Sequence, residues 1–168
     1  MPIVLQNIFR FIVLLFLQVL VLNNIQFMGY INPYIYVLFI ISLPVLTPRW
    51  LSLLLAFALG LSIDIFSNSP GVNTFATVLV AFLRNGIIKL FTALDEGNNP
   101  TPSFYSFGIS AYTKYLIVMV FIHQIALFFL EAFTFTHIFW FTILKVLLSA
   151  TVTILIILGY ESLIRKKR

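Results

Sequence analysis

Between Leu51 and Gly71 a nearly unbroken apolar run carries Ser52, Ala56, Gly60 and Asp64 at four-residue intervals, then stops at Ser67-Asn68-Ser69-Pro70-Gly71. Four residues is about one helical turn, so these four side chains share one face of a helix. A strip of small side chains lets a second helix approach closely in lipid, and a carboxylate at its end is tolerated there only when paired or wet. The run therefore reads as a membrane helix with a packing face.

Comparable runs recur along the chain. About 20 apolar residues cross a bilayer, and fewer suffice where protein shields the helix or thins the membrane. Six spans are expected on that measure, at 8–27, 33–46, 50–66, 72–91, 112–133 and 138–160. Only 9% of the 168 residues are charged, against about 25% in a soluble domain. No polar stretch is long enough for a second domain, so residues 1–168 are expected to form one integral membrane domain, an all-α bundle of six transmembrane helices. The short second and third spans are joined by Thr47-Pro48-Arg49, a proline turn that makes them a hairpin. Residues 2–22 begin with Arg10 ahead of an apolar run but lack a small-x-small cleavage site, so they read as a retained first span.

Lysine and arginine collect at the cytoplasmic ends of membrane spans. Four of the ten basic residues are Arg165-Lys166-Lys167-Arg168, at the end of a tail spanning 161–168. In a soluble protein the net charge of +5 would suggest nucleic acid, whereas a basic tail beside an apolar helix reads as an anchor against anionic lipid. With that tail cytoplasmic, six spans put the N-terminus on the same side, together with Arg10, Arg49, Lys89 and Lys114. The opposite loops, around 23–32, 67–71 and 134–137, contain no lysine or arginine. Loop 93–110, with Asp95-Glu96-Gly97-Asn98-Asn99-Pro100-Thr101-Pro102, is kept irregular by its glycine and prolines and reads as a solvated cytoplasmic connector or a docking loop. No repeat relates the four spans before it to the two after it, which argues against an inverted-repeat transporter.

Each long span carries one polar or small stripe. Asn73, Thr77, Ala81, Asn85 and Lys89 follow four-residue spacing, as do Lys145, Ser149 and Thr153, and Arg10 and Gln18 are nearly aligned eight residues apart. Such stripes point inward and hydrogen-bond between helices. Charged residues within spans mark function more often than packing. Arg84 lies past the middle of its span and is expected to snorkel towards the cytoplasmic surface. Lys145 lies deeper, and Glu131 is at a depth roughly 8 Å away by helix rise, so the two are expected to pair, the alternative being an unpaired or partner-facing lysine. His123, mid-span beside Gln124, reads as a neutral packing residue, and His137 as interfacial.

Little in the sequence supports chemistry. The absence of cysteine removes disulfides, thiolate metal sites and cysteine nucleophiles. Two separated histidines without nearby acids do not form a metal site, and no cofactor is implied. Gly60-Leu61-Ser62-Ile63-Asp64 has the flavour of an intramembrane aspartyl protease motif, but no second intramembrane aspartate exists to share a proton. Zincin, nucleophile-elbow and phosphate-loop motifs are missing, and the chain is expected not to be an enzyme.

The run Ala58-Leu59-Gly60-Leu61-Ser62-Ile63-Asp64-Ile65-Phe66-Ser67, followed by Pro70-Gly71-Val72-Asn73-Thr74, resembles the signature of the rod shape-determining protein MreD family. The resemblance covers the whole chain in layout and about 56–75 in specific motif. It implies a non-enzymatic subunit of the bacterial elongation machinery in the cytoplasmic (inner) membrane, supporting cell shape and sidewall peptidoglycan synthesis. The implied partners are MreC directly, and RodA with its penicillin-binding-protein synthase and MreB, directly or through MreC. It also implies a fold similar to the substrate-binding subunits of energy-coupling-factor vitamin transporters. Gly60, Asp64 and Gly71 are the positions carried over; Asp64 would cap the turn, and the Ser52-Ala56-Gly60 strip would seat a helix of this chain or of MreC. A vitamin-transporter substrate subunit is the alternative. Such subunits commonly present an alanine-rich face on their first helix, and residues 11–22 contain no small residue.

Overall fold

A computed structural model describes residues 3–25, 32–92, 100–135 and 139–166. Most of the polar loop, including Asp95, and also His137 and the last two residues of the basic tail, lie outside the described residues. Everything described is helix or connecting turn, and no strand occurs among the described residues.

Among the described residues, five helices are long and apolar enough to cross a membrane. The first is α1 (Ile3–Phe16), prolonged by a π-helical turn (Leu17–Val21) and a 3₁₀ turn (Leu22–Asn24). Next come α3 (Arg49–Ser67), α4 (Val72–Phe91), α6 (Ile109–Phe135) and α7 (Phe139–Lys166). Two short pieces complete the chain: α2 (Leu38–Ile41), preceded by a 3₁₀ turn (Ile35–Val37), and α5 (Phe104–Phe107). Local chemistry sets the limits. Pro48 precedes α3 in an extended conformation, where its fixed φ and missing N–H do no harm. The helix ends at Asn68, which adopts the left-handed region at φ 52°, while the Ser69 N–H returns to the Asp64 carbonyl in the manner of a Schellman motif.

The expected second span takes a different form. Instead of a helix over 33–46, the chain is irregular at residues 32–34, helical for the seven residues from Ile35 to Ile41, and irregular again to Pro48. Seven residues rise about 10 Å, a third of a hydrocarbon core. Pro33 and Pro44 bracket the piece, and neither permits a helix to run through it. Tyr36, Val37, Phe39, Ile40 and Ile41 are at most 1% exposed and form the centre of the hydrophobic core, against Leu59, Val80, Tyr115, Leu116, Met119 and Val120. The segment is a plug enclosed by the long helices.

Its contacts fix its direction. Pro33 and Ile35 are bonded to Gln18, near the far end of α1, whereas Ser42 is bonded to Arg10, nearer its start. Asn23, beyond Gln18, reaches Ser67 at the α3–α4 turn. The plug thus runs back along α1, from the side of that turn towards the side where α3 begins. Tyr112, at the start of α6, is within electrostatic reach of both Arg10 and Glu161, so α1 begins and α7 ends on one side of the bundle. The plug carries the chain from the far end of the first helix back to the start of α3.

Candidate functional site

The α3–α4 turn is built on one carboxylate. Gly71, the N-cap of α4, has φ +80° and no side chain to offer the free N–H groups that follow it. Asp64 supplies the acceptor from the previous helix. Its Oδ1 accepts from Ser69 Oγ, the Asn73 amide side chain and the Asn73 N–H, and its Oδ2 accepts from the N–H and hydroxyl of Thr74, all between 2.5 and 3.0 Å. A buried negative charge at a helix N-terminus is favoured by the peptide dipoles as well as by these donors. One turn earlier, Gly60 lies against α4 with no room for another atom: an added Cβ would fall 2.5 Å from Thr74 Cα and 2.9 Å from the Asn73 carbonyl oxygen. Ser52 and Ala56 are buried on the same face. The strip therefore seats a helix of this chain.

A hydrogen-bonded chain runs inward from that carboxylate. Because Asn73 gives its NH₂ group to Asp64 and Ser69, its Oδ1 is left to accept, and the Tyr36 hydroxyl donates to it at 2.8 Å. Having used its proton, the hydroxyl accepts from His123 Nε2 at 2.9 Å. Neutral His123 is then the Nε2–H tautomer, leaving Nδ1 a buried acceptor with no partner among the described residues. Tyr34 and Tyr36 close around the imidazole edge-on or tilted, with ring centroids 6.0 and 5.2 Å away. Asp64, Asn73, Tyr36 and His123 thus tie α3, α4, the plug and α6 together.

Several of the remaining buried polar groups serve the plug. Irregular backbone at membrane depth is stable only where protein satisfies its N–H and C=O groups. Gln18, in the π-helical turn, donates to the Pro33 carbonyl at 3.2 Å and accepts from the Ile35 N–H at 3.1 Å. Ser149 and Thr153 of α7 accept from the N–H groups of Asn32 and Tyr34. At the other end Tyr115 donates to Ile41 O at 3.0 Å and Arg10 to Ser42 O at 3.0 Å. Arg84 donates to the carbonyls of Leu43 and Pro44. Two guanidinium groups at the C-terminal end of a short helix complement its dipole. Arg84 is fully buried; it does not snorkel to the surface as expected, because the carbonyls of Leu43 and Pro44 engage its guanidinium inside the bundle.

Glu131 and Lys145 lie across from each other between α6 and α7 and line one cleft with Phe128, Ala132, Phe141 and Thr142. The expected ion pair is not formed: no nitrogen–oxygen approach within 4.0 Å joins them. Lys145 Nζ instead lies over the Phe141 ring, 5.4 Å from its centroid. Helix rise places them at compatible depths but carries no information on the direction in which each side chain leaves its helix.

Tyr36, Tyr115 and Ser69 are the site residues that spacing does not single out. Tyr36 had one available signal, a polar aromatic in an apolar run bracketed by prolines. Among the described residues no group of three His, Asp or Glu side chains is placed to hold a metal ion. Comparison with protein-family models, with curated proteins and with solved structures gave no match to this chain.

Proposed function

We propose that the chain is a non-enzymatic scaffold subunit of the bacterial rod elongation machinery, similar to MreD. In this reading it lies in the inner membrane with both ends cytoplasmic and supports cell shape and sidewall peptidoglycan synthesis. It does so through contacts with MreC and with RodA and its penicillin-binding-protein synthase, and with MreB directly or through MreC. The plug counts as the sixth crossing, and the bundle is of the kind found in energy-coupling-factor substrate subunits.

One observation carries the proposal. The residues through which the sequence resembles that family, Gly60, Asp64 and Gly71, meet in a single joint. There Gly60 permits the close approach of α4, Asp64 caps that helix and Gly71 makes the left-handed turn between them. A signature built on such contacts is what a scaffold needs, since its output is a fixed shape. The burial of intramembrane charge against helix ends supports the same reading, as Asp64, Arg10 and Arg84 hold backbone. Because the Ser52–Asp64 strip is occupied by α4, partners meet the outward faces, and the first span, with Val4, Ile8, Phe9, Ile12 and Phe16 exposed along it, is the least buried of the five.

The test is a mild-detergent purification of the tagged protein from its native membrane, with co-purifying proteins identified by mass spectrometry. Recovery of MreC with RodA or its synthase partner is the expected result. Recovery of an energy-coupling membrane subunit with its ATPases would overturn the proposal in favour of a vitamin-transporter subunit.

A further inference from the structure

The cleft between α6 and α7 lies apart from the joint, and the two opposite charges in it form no ion pair with each other. Glu131 and Lys145 face one cleft and, among the described residues, make neither a hydrogen bond nor an ion pair with each other or with any other side chain. The lysine is held back over Phe141. An occupant that satisfies both must present an anion to Lys145 and a hydrogen-bonding cation to Glu131.

Depth narrows the class. The helices α6 and α7 have 27 and 28 residues, about 40 Å each, so they overhang a 30 Å hydrocarbon core by roughly 5 Å at either end. Glu131 is four residues from the end of α6 and Lys145 six from the start of α7, which is about 6 and 9 Å along the axes. Both charges therefore lie just beneath the level of lipid phosphates. Trp140, 77% exposed at the start of α7, matches the interfacial belt at that level. Flanking the cleft, Ile125 of α6 and Leu144 and Leu148 of α7 are exposed apolar side chains of the kind that acyl chains cover.

We propose that a zwitterionic aminophospholipid lays its headgroup over the open mouth of this cleft, whose interior has room for about one water, with the phosphate on Lys145 and the primary ammonium on Glu131. The charges match in sign and order, and the ammonium donates charge-assisted hydrogen bonds that a quaternary amine cannot. An anionic headgroup without an amine leaves Glu131 unmatched. The proposal does not rest on the scaffold reading.

Native mass spectrometry of the full-length protein, titrated with phosphatidylethanolamine, phosphatidylcholine and phosphatidylglycerol of identical acyl chains, tests it. Phosphatidylethanolamine is expected to be held about tenfold more tightly than the other two, the worth of one charge-assisted hydrogen bond. Glu131→Gln should bring it to the level of phosphatidylglycerol, Lys145→Gln should weaken all three, and Lys145→Arg should keep the ranking. Equal retention of the three lipids by the unmodified protein overturns the proposal without recourse to any variant. So does a ranking unchanged in a Glu131→Gln protein whose elution and thermal unfolding are normal. Competition by soluble phosphoethanolamine as effective as by the lipid would overturn it in favour of a free solute. A co-purifying protein lost on Lys145→Glu, with lipid retention unaltered, would overturn it in favour of a partner helix.

Discussion

Two antiparallel helix pairs in this molecule treat charge in opposite ways. Between α3 and α4 a carboxylate is buried against five donors, and the helices touch through a glycine that tolerates no added carbon. Between α6 and α7 a carboxylate and an ammonium face a common cleft and leave each other alone. The difference is one of position relative to backbone. Asp64 is within reach of the free N–H groups that open α4, so backbone satisfies it and it becomes structural. Glu131, four residues from the end of α6, and Lys145, six residues inside α7, make no such bond among the described residues. The charge that is bonded to a helix end is structural, and the charges in the cleft are left available to a ligand.

The comparison breaks most decisively at Asp64. Replacing it with leucine leaves the Asn73 and Thr74 N–H groups buried without an acceptor. We expect a loss of about 3–5 kcal/mol in lipid-embedded stability, read by steric trapping or force-induced unfolding. Asp64→Asn should lose less, since one acceptor oxygen remains. If Asp64→Leu unfolds like the parent, the joint is not what holds the hairpin, and the contrast with α6–α7 disappears.

Gly60→Ala comes next. The new methyl group meets the Thr74 backbone and the Asn73 carbonyl oxygen, neither of which can rotate away, so α3 and α4 must separate. Overpacking of this kind costs about 1–3 kcal/mol. Spin labels placed on the exposed faces of the two helices, at Phe57 and Phe82, should report the widening. An unchanged label distance with unchanged stability would place the close approach elsewhere.

The hairpin is also the part most legible in sequence, and the reason is physical. Four-residue spacing predicts a shared helix face whatever lies opposite, so Ser52, Ala56, Gly60 and Asp64 can be grouped without knowing their partner. The stripes of Arg10 and Gln18, and of Ser149 and Thr153, are readable by the same rule. That their partner is backbone is not readable: a stripe announces that something polar is needed, and the plug that needs it reads locally as a short apolar span. Pro33 and Pro44 are the available hint. Arg84 shows the limit most clearly, because snorkelling and inward capping begin from the same helix position and differ only in what the rest of the fold offers the guanidinium.

Gln18→Leu tests that account with a smaller effect. It removes the acceptor for the Ile35 N–H and the donor to the Pro33 carbonyl while leaving α1 apolar. We expect a loss of about 1–2 kcal/mol, accompanied by faster hydrogen exchange at Ile35 and its neighbours but not in α3 or α4. Exchange that rises equally in all three would mean that the plug and the hairpin form one cooperative unit.

The smallest effect belongs to the open cleft and sharpens the contrast from the other side. Were Glu131 and Lys145 an ion pair, Lys145→Met and Glu131→Gln would each be worse alone than together, because each strands the other charge. With no contact within 4.0 Å between them, the double-mutant cycle should give a coupling below about 0.5 kcal/mol, the level of sites that do not share an interaction. The same cycle on Asp64 and Asn73, which share two direct hydrogen bonds, should retain a coupling near 1 kcal/mol, an order-of-magnitude value of about one side-chain hydrogen bond. A large coupling in the cleft would mean that the two side chains close on each other in the bilayer, and the distinction between a charge held by backbone and a charge left available would no longer separate the two helix pairs.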